Sequence, residues 1–277
     1  MRADCHIHMV LDGVNWKEAI HRHSIAPDEG YIRKVLARYR SLGYTYLRDG
    51  GDRWGVGAKA RALSQEYGIR YRTPLAPLCK LGHYGSFIGT TYETMAEYAD
   101  LVVKTRAAGG NFIKIMISGL MDFNQYGVLT EQGLSDGEIR ELVHIAHEEG
   151  MAVMAHANGQ SVLVAASFGV DSVEHGAYLP KEALYAMQEN GTVWVPTLST
   201  IGNLRGTGRF SESAVQHILE NALETVSAFD AIGGLLAVGT DAGAWAVPHG
   251  STTEEGYLSV VSDSALEKGL ATIQAKF

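Results

Sequence analysis

Apolar positions along this chain gather into short runs, and most runs follow a glycine that closes a helix-like stretch. The junctions read SLG before YTYLRDGG, EYG before IRYRTPLAPL, AAGG before NFIKIMISG and HEEG before MAVMAHANG. They continue with SFG before VDSVEHG, ENG before TVWVPTLST and AIGG before LLAVGTDAG. The closing glycines are Gly43, Gly68, Gly110, Gly150, Gly169, Gly191 and Gly234. Glycine is favoured just past a helix because it accepts positive φ without a Cβ clash. Seven such units and an opening strand over Ala3 to His8 predict eight strands.

The intervening segments carry helix signals. Ser135 with Glu138 fits a capping box, and Thr90 with Glu93 repeats that spacing. Leu142, Ile145 and Ala146 form a buried stripe at helical spacing, and Pro180 suits the first turn of another helix. Strands alternating with helices imply parallel pairing. Eight units in 277 residues match an α/β (β/α)8 barrel, typically about 250 residues long. A doubly wound open sheet is the alternative. No linker divides the chain, so residues 1–277 read as a single domain.

Composition narrows the function classes. Apolar residues are 46% and charged residues 19%, a globular balance that argues against disorder. The net charge is −8 with no basic run, which argues against nucleic acid or an anionic membrane as partner. No apolar run approaches the ~20 residues that span a bilayer. Cys5 and Cys79 form no CxxC pair, so a disulfide framework or thiol redox motif is not expected. A cytoplasmic protein acting on a small molecule is the expectation, with self-association into a homo-oligomer left open.

In a barrel, chemistry belongs to the C-terminal ends of the strands. The opening strand ends in His6 and His8, which share a face because side chains alternate. Lys114 sits between isoleucines in an apolar strand, where a charged amine is costly. His156, His175 and Asp241 close three later strands. Alone, each has a plain reading: surface or core histidine, a lysine reaching solvent, an aspartate capping the next helix. Together, five metal-type residues and one buried lysine on a single rim predict a divalent metal site.

At these positions the chain resembles the amidohydrolase superfamily, and within it the metal-dependent Xaa-Pro dipeptidases (prolidases) and imidazolonepropionase-related enzymes. The motifs are DCHIH, YLRDGG, FIKIMISG, MAHANG, VEHG and GTDAG, in the family's order from Asp4 to Gly243. The resemblance implies two divalent ions, zinc being the expected metal. His6, His8 and Asp241 would hold the first, His156 and His175 the second, and Lys114 would bridge them as a carbamate. Two dications ~3.5 Å apart repel by roughly 19 kcal/mol at an effective dielectric of ~20, so anionic ligands are needed. One ion with unmodified Lys114 is the alternative.

The implied reaction is hydrolysis of an amide bond in a dipeptide, N-acyl amino acid or cyclic amide. Metal-activated hydroxide would attack while Asp241 shuttles the proton. An esterase, lactonase, phosphotriesterase or deaminase on the same site, or a non-catalytic metal-binding barrel, are the alternatives. His83, Tyr84, Tyr126, Thr197 and His249 are candidate substrate contacts. Arg48 and Asp49 read as a salt-bridged rim pair, and alternation turns Glu174 away from the ion. Most relatives also carry a β-sandwich, which the motif at His6 leaves no room to begin, so the expected barrel stands without it, either as a minimal member or as a chain with both ends missing. Relatives often have HAHG where this chain has His156-Ala157-Asn158-Gly159, and SGG where it has Ser118-Gly119-Leu120.

Overall fold

The computed structural model describes residues 2–277. The strands are β1 (Arg2–Ile7), β2 (Tyr44–Asp49), β3 (Arg70–Arg72), β4 (Leu78–Lys80) and β5 (Thr90–Tyr92). They continue as β6 (Ile113–Met116), β7 (Val153–Ala157), β8 (Ser172–His175), β9 (Val193–Val195) and β10 (Leu235–Leu236). Every ladder is parallel. The fold is therefore α/β, as the alternation of elements requires.

Two strands exceed the expected eight. The run IRYRTPLAPL divides into β3 and β4 because Pro74 and Pro77 remove ladder donors and Leu75 takes a φ of 68° between them. β5 pairs with β4 and includes Thr90. The predicted capping box at Thr90 is thus displaced by one turn: Thr94 and Glu97 make the box that opens the next helix. The Ser135–Glu138 box forms as predicted. Pro180 sits one position earlier than expected, as the residue preceding its helix.

The ladders form two sheets, ordered β1-β2-β3 and β10-β9-β8-β7-β6-β4-β5. Backbone bonds tie the small sheet to the large one at both edges. Cys5 N donates to Val238 O (2.8 Å), Asp241 N to His6 O (2.7 Å) and His8 N to Ala242 O (2.7 Å). On the other side Asn111 N donates to Thr73 O (2.9 Å).

Helices lie between the strands: α1 (Trp16–Arg22), α2 (Glu29–Ser41), α3 (Val56–Ser64), α4 (Met95–Ala107), α5 (Asp136–Glu148) and α6 (Gln160–Ser167). Then come α7 (Lys181–Asn190), α8 (Ser199–Gly202), α9 (Glu212–Ala231), α10 (Thr253–Tyr257) and α11 (Asp263–Lys276). Among the described residues no helix is long and apolar enough to cross a membrane.

Alternation sorts the strand residues into two cores. Ile113, Ile115, Val153, Ala155 and Val173 pack with Leu142, Ala146 and Val162 of the helical layer. Their neighbours Phe112 and Met154 pack instead with Tyr46, Val193, Val195 and Ala237, and with Ile273 of α11. Phe277 joins this inner cluster edge-on to Phe112, with ring centroids 5.2 Å apart. Gly269 lets α11 approach β10, because a Cβ there would collide with the Leu236 carbonyl. Period two then puts Lys114 and His156 on the side of Phe112 and Met154, one layer nearer the strand ends.

Candidate metal centre

His6, His8, His175 and Asp241 converge at the C-terminal ends of β1 and β8 and in the loop after β10. His6 Nε2 lies 3.3 Å from His8 Nε2 and 3.5 Å from Asp241 Oδ1. Asp241 Oδ1 is 3.3 Å from His8 Nε2, and Asp241 Oδ2 is 4.0 Å from His175 Nδ1. One ligand atom each from His6, His175 and Asp241 fall within 4.8 Å of one another. The His156 ring is 4.5 Å from that of His175, and its Nε2 lies 3.4 Å from Gly119 O. Gly50 leaves room for the His8 imidazole, which a Cβ would overlap.

His175 and Asp241 have φ of 69° and 57°, and Thr197 has 51°. Non-glycine residues in this region cost about 1–3 kcal/mol each and persist where surroundings over-determine them. At His175 the reversal has a visible consequence. β8 ends there, so its ring turns back toward the interior and no longer alternates with Glu174.

The protonation chemistry suits a cation. Burial holds His6 and His175 well below the usual imidazole value and lowers His8 and His156 to about 3, leaving them neutral. Burial also lowers Lys114 to about 8 and pushes Asp241 up to about 8. His8 Nδ1, Lys114 Nζ and Asp241 Oδ1 are buried without a hydrogen-bond partner. Leaving such groups unsatisfied costs about 1–3 kcal/mol each, more if charged. Neutral imidazole nitrogens facing an orphaned carboxylate oxygen are the donor set that a divalent ion satisfies, so the residues fit a metal.

Behind His6 stands a buried polar layer that the sequence reading assigned otherwise. Glu174 is fully buried, and its Oε2 lies 2.7 Å from His6 Nδ1. This bond directs His6 Nε2 toward the cluster. Arg48 donates to Glu174 Oε1 (2.8 Å), Ser172 Oγ (2.8 Å) and Cys5 O (2.7 Å). Glu174 therefore faces inward, and Arg48 pairs with it instead of Asp49. Adjacent strand residues point to opposite faces, so Arg48 and Asp49 could not meet. Asp49 accepts from Met9 N (3.1 Å) and the Thr73 hydroxyl (3.1 Å) on the outer side. Asp4 accepts from Thr240 N (2.9 Å) and Oγ1 (2.7 Å), fixing the residue before Asp241.

The two departures from the family's motifs touch each other. Asn158 N donates to Ser118 Oγ (2.9 Å), and Asn158 Nδ2 donates to Gly119 O (3.0 Å). The asparagine thus braces the loop after β6 against the end of β7.

These groups open into a cavity of about 1000 Å³. Tyr84 lines it with its ring 4.8 Å from His156, and Glu131 Oε1 accepts the Tyr84 N–H (2.7 Å). His83 turns to Glu131 instead, with Nδ1 at 3.7 Å from Oε1. Thr197 is buried, its Oγ1 2.7 Å from His175 Nδ1. Tyr126 is half-exposed and packs edge-on to Tyr178 and His217. His249 is buried 3.0 Å from Leu11 O and 3.3 Å from the Tyr39 hydroxyl. Of the five substrate-contact candidates, Tyr84 is the one that lines the cavity. Trp16, Phe87, Phe123, Arg209, Phe210 and Trp245 also line it. They sit in loops and short helices, where no periodicity marks them.

No family model matches the chain. Ochratoxinase of Aspergillus niger is 28% identical over 291 residues, covering 91% of this chain and 58% of that protein. An uncharacterized protein of Mycobacterium tuberculosis is 30% identical over 128 residues, covering 44% of this chain and 34% of its own length. The chain thus spans between a third and three fifths of the curated relatives it matches. Among solved structures, that of A. niger ochratoxinase superposes with a TM-score of 0.75 at 21% identity, covering 99% of this chain and 69% of the other. A Xaa-Pro dipeptidase with methionine bound in its active site gives 0.72 at 22% identity, covering 99% and 72%. The chain therefore shares the fold of prolidase and ochratoxinase, and the resemblance to prolidase-like amidohydrolases read from its motifs is borne out.

Proposed function

We propose that this protein is a metal-dependent hydrolase of amide bonds in small molecules. In this reading the two sheets act as one closed barrel, joined through the bonds at Cys5, His6, His8 and Thr73. The observation that carries it is the convergence of His6, His8, His175 and Asp241 around buried polar atoms that lack partners. His6, His8 and Asp241 would hold one divalent ion, and His156 and His175 a second. Lys114 would stand between them as a carbamate, since its lowered basicity leaves neutral amine to take up CO2. Bound metal supplies a Lewis acid and lowers the pKa of water toward about 7.

The chain's own residues supply the proton traffic. Asp241 takes a proton from water as the water oxygen bonds to the amide carbon. It holds that proton until the C–N bond breaks. It then donates the proton to the departing amine, leaving a carboxylate product. Glu174 keeps His6 in one tautomer, and Thr197 orients His175. Tyr84 and the apolar lining shield the cluster from bulk water.

The test pairs metal analysis with a panel of dipeptides, N-acyl amino acids, lactams, lactones and phosphotriesters. Amide hydrolysis should vanish on chelation and return with added zinc. Asp241→Asn should retain most of the metal and lose turnover by roughly 10²–10⁴-fold. Full activity in stripped protein, or near-wild-type rates in Asp241→Asn, removes the proposal.

A further inference from the structure

Thr197 holds a backbone conformation that a β-branched residue seldom adopts, with φ at 51°. Such a residue persists where its surroundings over-determine it. The peptide that joins Thr197 to Leu198 is pinned on both sides. Its carbonyl accepts from Thr200 N (3.0 Å) and Thr200 Oγ1 (2.8 Å). Its N–H, on Leu198, donates to Glu254 Oε1 (2.8 Å), and the following N–H, on Ser199, donates to Glu254 Oε2 (2.6 Å). The threonine held in this way places Oγ1 2.7 Å from His175 Nδ1.

Glu254 reaches this turn from α10 and is fully buried. Among the described residues no cation pairs with it. Burial pushes its carboxyl up to about 7 from an ordinary 4.5. A desolvated carboxylate is a costly cap for the four-residue helix α8, where a serine or an exposed aspartate would serve. α10 is itself anchored. Glu255 accepts from Arg2 Nη2 (2.7 and 2.8 Å), and Arg2 Nη1 donates to Leu42 O (2.9 Å), which ties α10 to β1. Thr253 Oγ1 lies 2.9 Å from both Ser199 Oγ and Ser251 Oγ. At Gly202 a Cβ would overlap the Tyr257 ring, so α8 sits directly on α10.

We propose that Glu254 is a positioning residue for the metal centre. Its carboxylate locks the turn at Thr197, and Thr197 then holds His175 in the tautomer with the proton on Nδ1. Nε2 keeps its lone pair free for a cation. Two consecutive N–H donors face the two carboxylate oxygens, so a glutamine at 254 would set its own N–H groups against one of them. The step toward a cation rests on the metal-dependent reading above, and the tautomer is measured on metal-free protein so that the two can fail separately.

Nitrogen-15 imidazole spectra of metal-free protein, with His175 assigned through His175→Asn, report the tautomer. The wild type should carry the His175 proton on Nδ1 alone, whereas Glu254→Gln and Thr197→Val should each show a mixture. Zinc affinity from chelator competition should fall roughly 10–100-fold in either variant. The double variant should bind no more weakly than the poorer single one, because both changes act through one hydroxyl. Ser135→Ala, which removes the cap of α5, should leave tautomer and affinity unchanged. If Glu254→Gln does not fold, Glu254→Asp, one methylene shorter, is read in the same way.

A wild-type His175 with its proton on Nε2, or a single tautomer that survives in Glu254→Gln, overturns the inference. So do additive losses of zinc affinity in the double variant, and so does an equal loss in Ser135→Ala. A tautomer change in Glu254→Gln, with no zinc bound by the wild type, upholds the clamp on His175 while counting against the metal-dependent reading.

Discussion

The ion pair between Arg48 and Glu174 is wholly desolvated, so each charge depends on the other. Removing one partner of such a pair typically costs about 3–5 kcal/mol, because the remaining charge stays buried. Glu174→Gln should therefore lower stability by about that amount. It should also weaken metal retention roughly 10–100-fold, since His6 loses its anionic partner. The double change Arg48→Met with Glu174→Gln separates these effects. Thermal melts should recover while dialysis against a chelator still strips the metal easily. Recovery of both would deny Glu174 any role toward His6. The sequence reading misplaced Glu174 because it carried strand alternation one residue too far. Alternation holds while φ stays extended, and His175 leaves that region.

At the scale of elements, the outer end of β2 shows what burial does to a carboxyl. Burial, with the neighbouring charge of Asp52, pushes Asp49 up to about 7 from an ordinary 3.8. Between those values the folded chain holds a proton that the unfolded chain has released. Stability from this group is thus complete below about pH 4 and is lost as pH rises through about 7. Asp49→Asn keeps an acceptor for Met9 N and a partner for Thr73, so it should flatten the decline in melting temperature between pH 5 and 7.5. An unchanged slope would show that Asp49 ionises in the fold as it does in water. Helix starts follow more local rules. Ser135→Ala should cost about 1 kcal/mol, read from denaturant midpoints, because the hydroxyl caps the Glu138 N–H. Two registers of the same capping pattern occur near residue 90, and strand pairing of Thr90 with Leu78 decides between them.

For the whole molecule, the proposed ligands come from both sheets, so a bound ion would cross-link β1 to the large sheet. A site held at hundredfold excess over its dissociation constant adds about 2.7 kcal/mol to the folded state. In a chain of this size that corresponds to about 5–10 °C in melting temperature. Chelation should produce that drop, and readdition of zinc should reverse it. Identical melting with and without metal would mean that the convergence of side chains holds no ion.

The chain's local pattern by itself determined the parallel α/β alternation, the positions of most strands and the identity of the cluster residues. These depend on period, glycine placement and residue type, which are properties of neighbours in sequence. Tertiary structure alone decided the division at Pro74 and Pro77, the partnership of Arg48 with Glu174, the bracing of Ser118 and Gly119 by Asn158, and the aromatic lining of the cavity. Each of these depends on which distant segments face one another across a packed interior. Side-chain spacing along a strand carries no record of that.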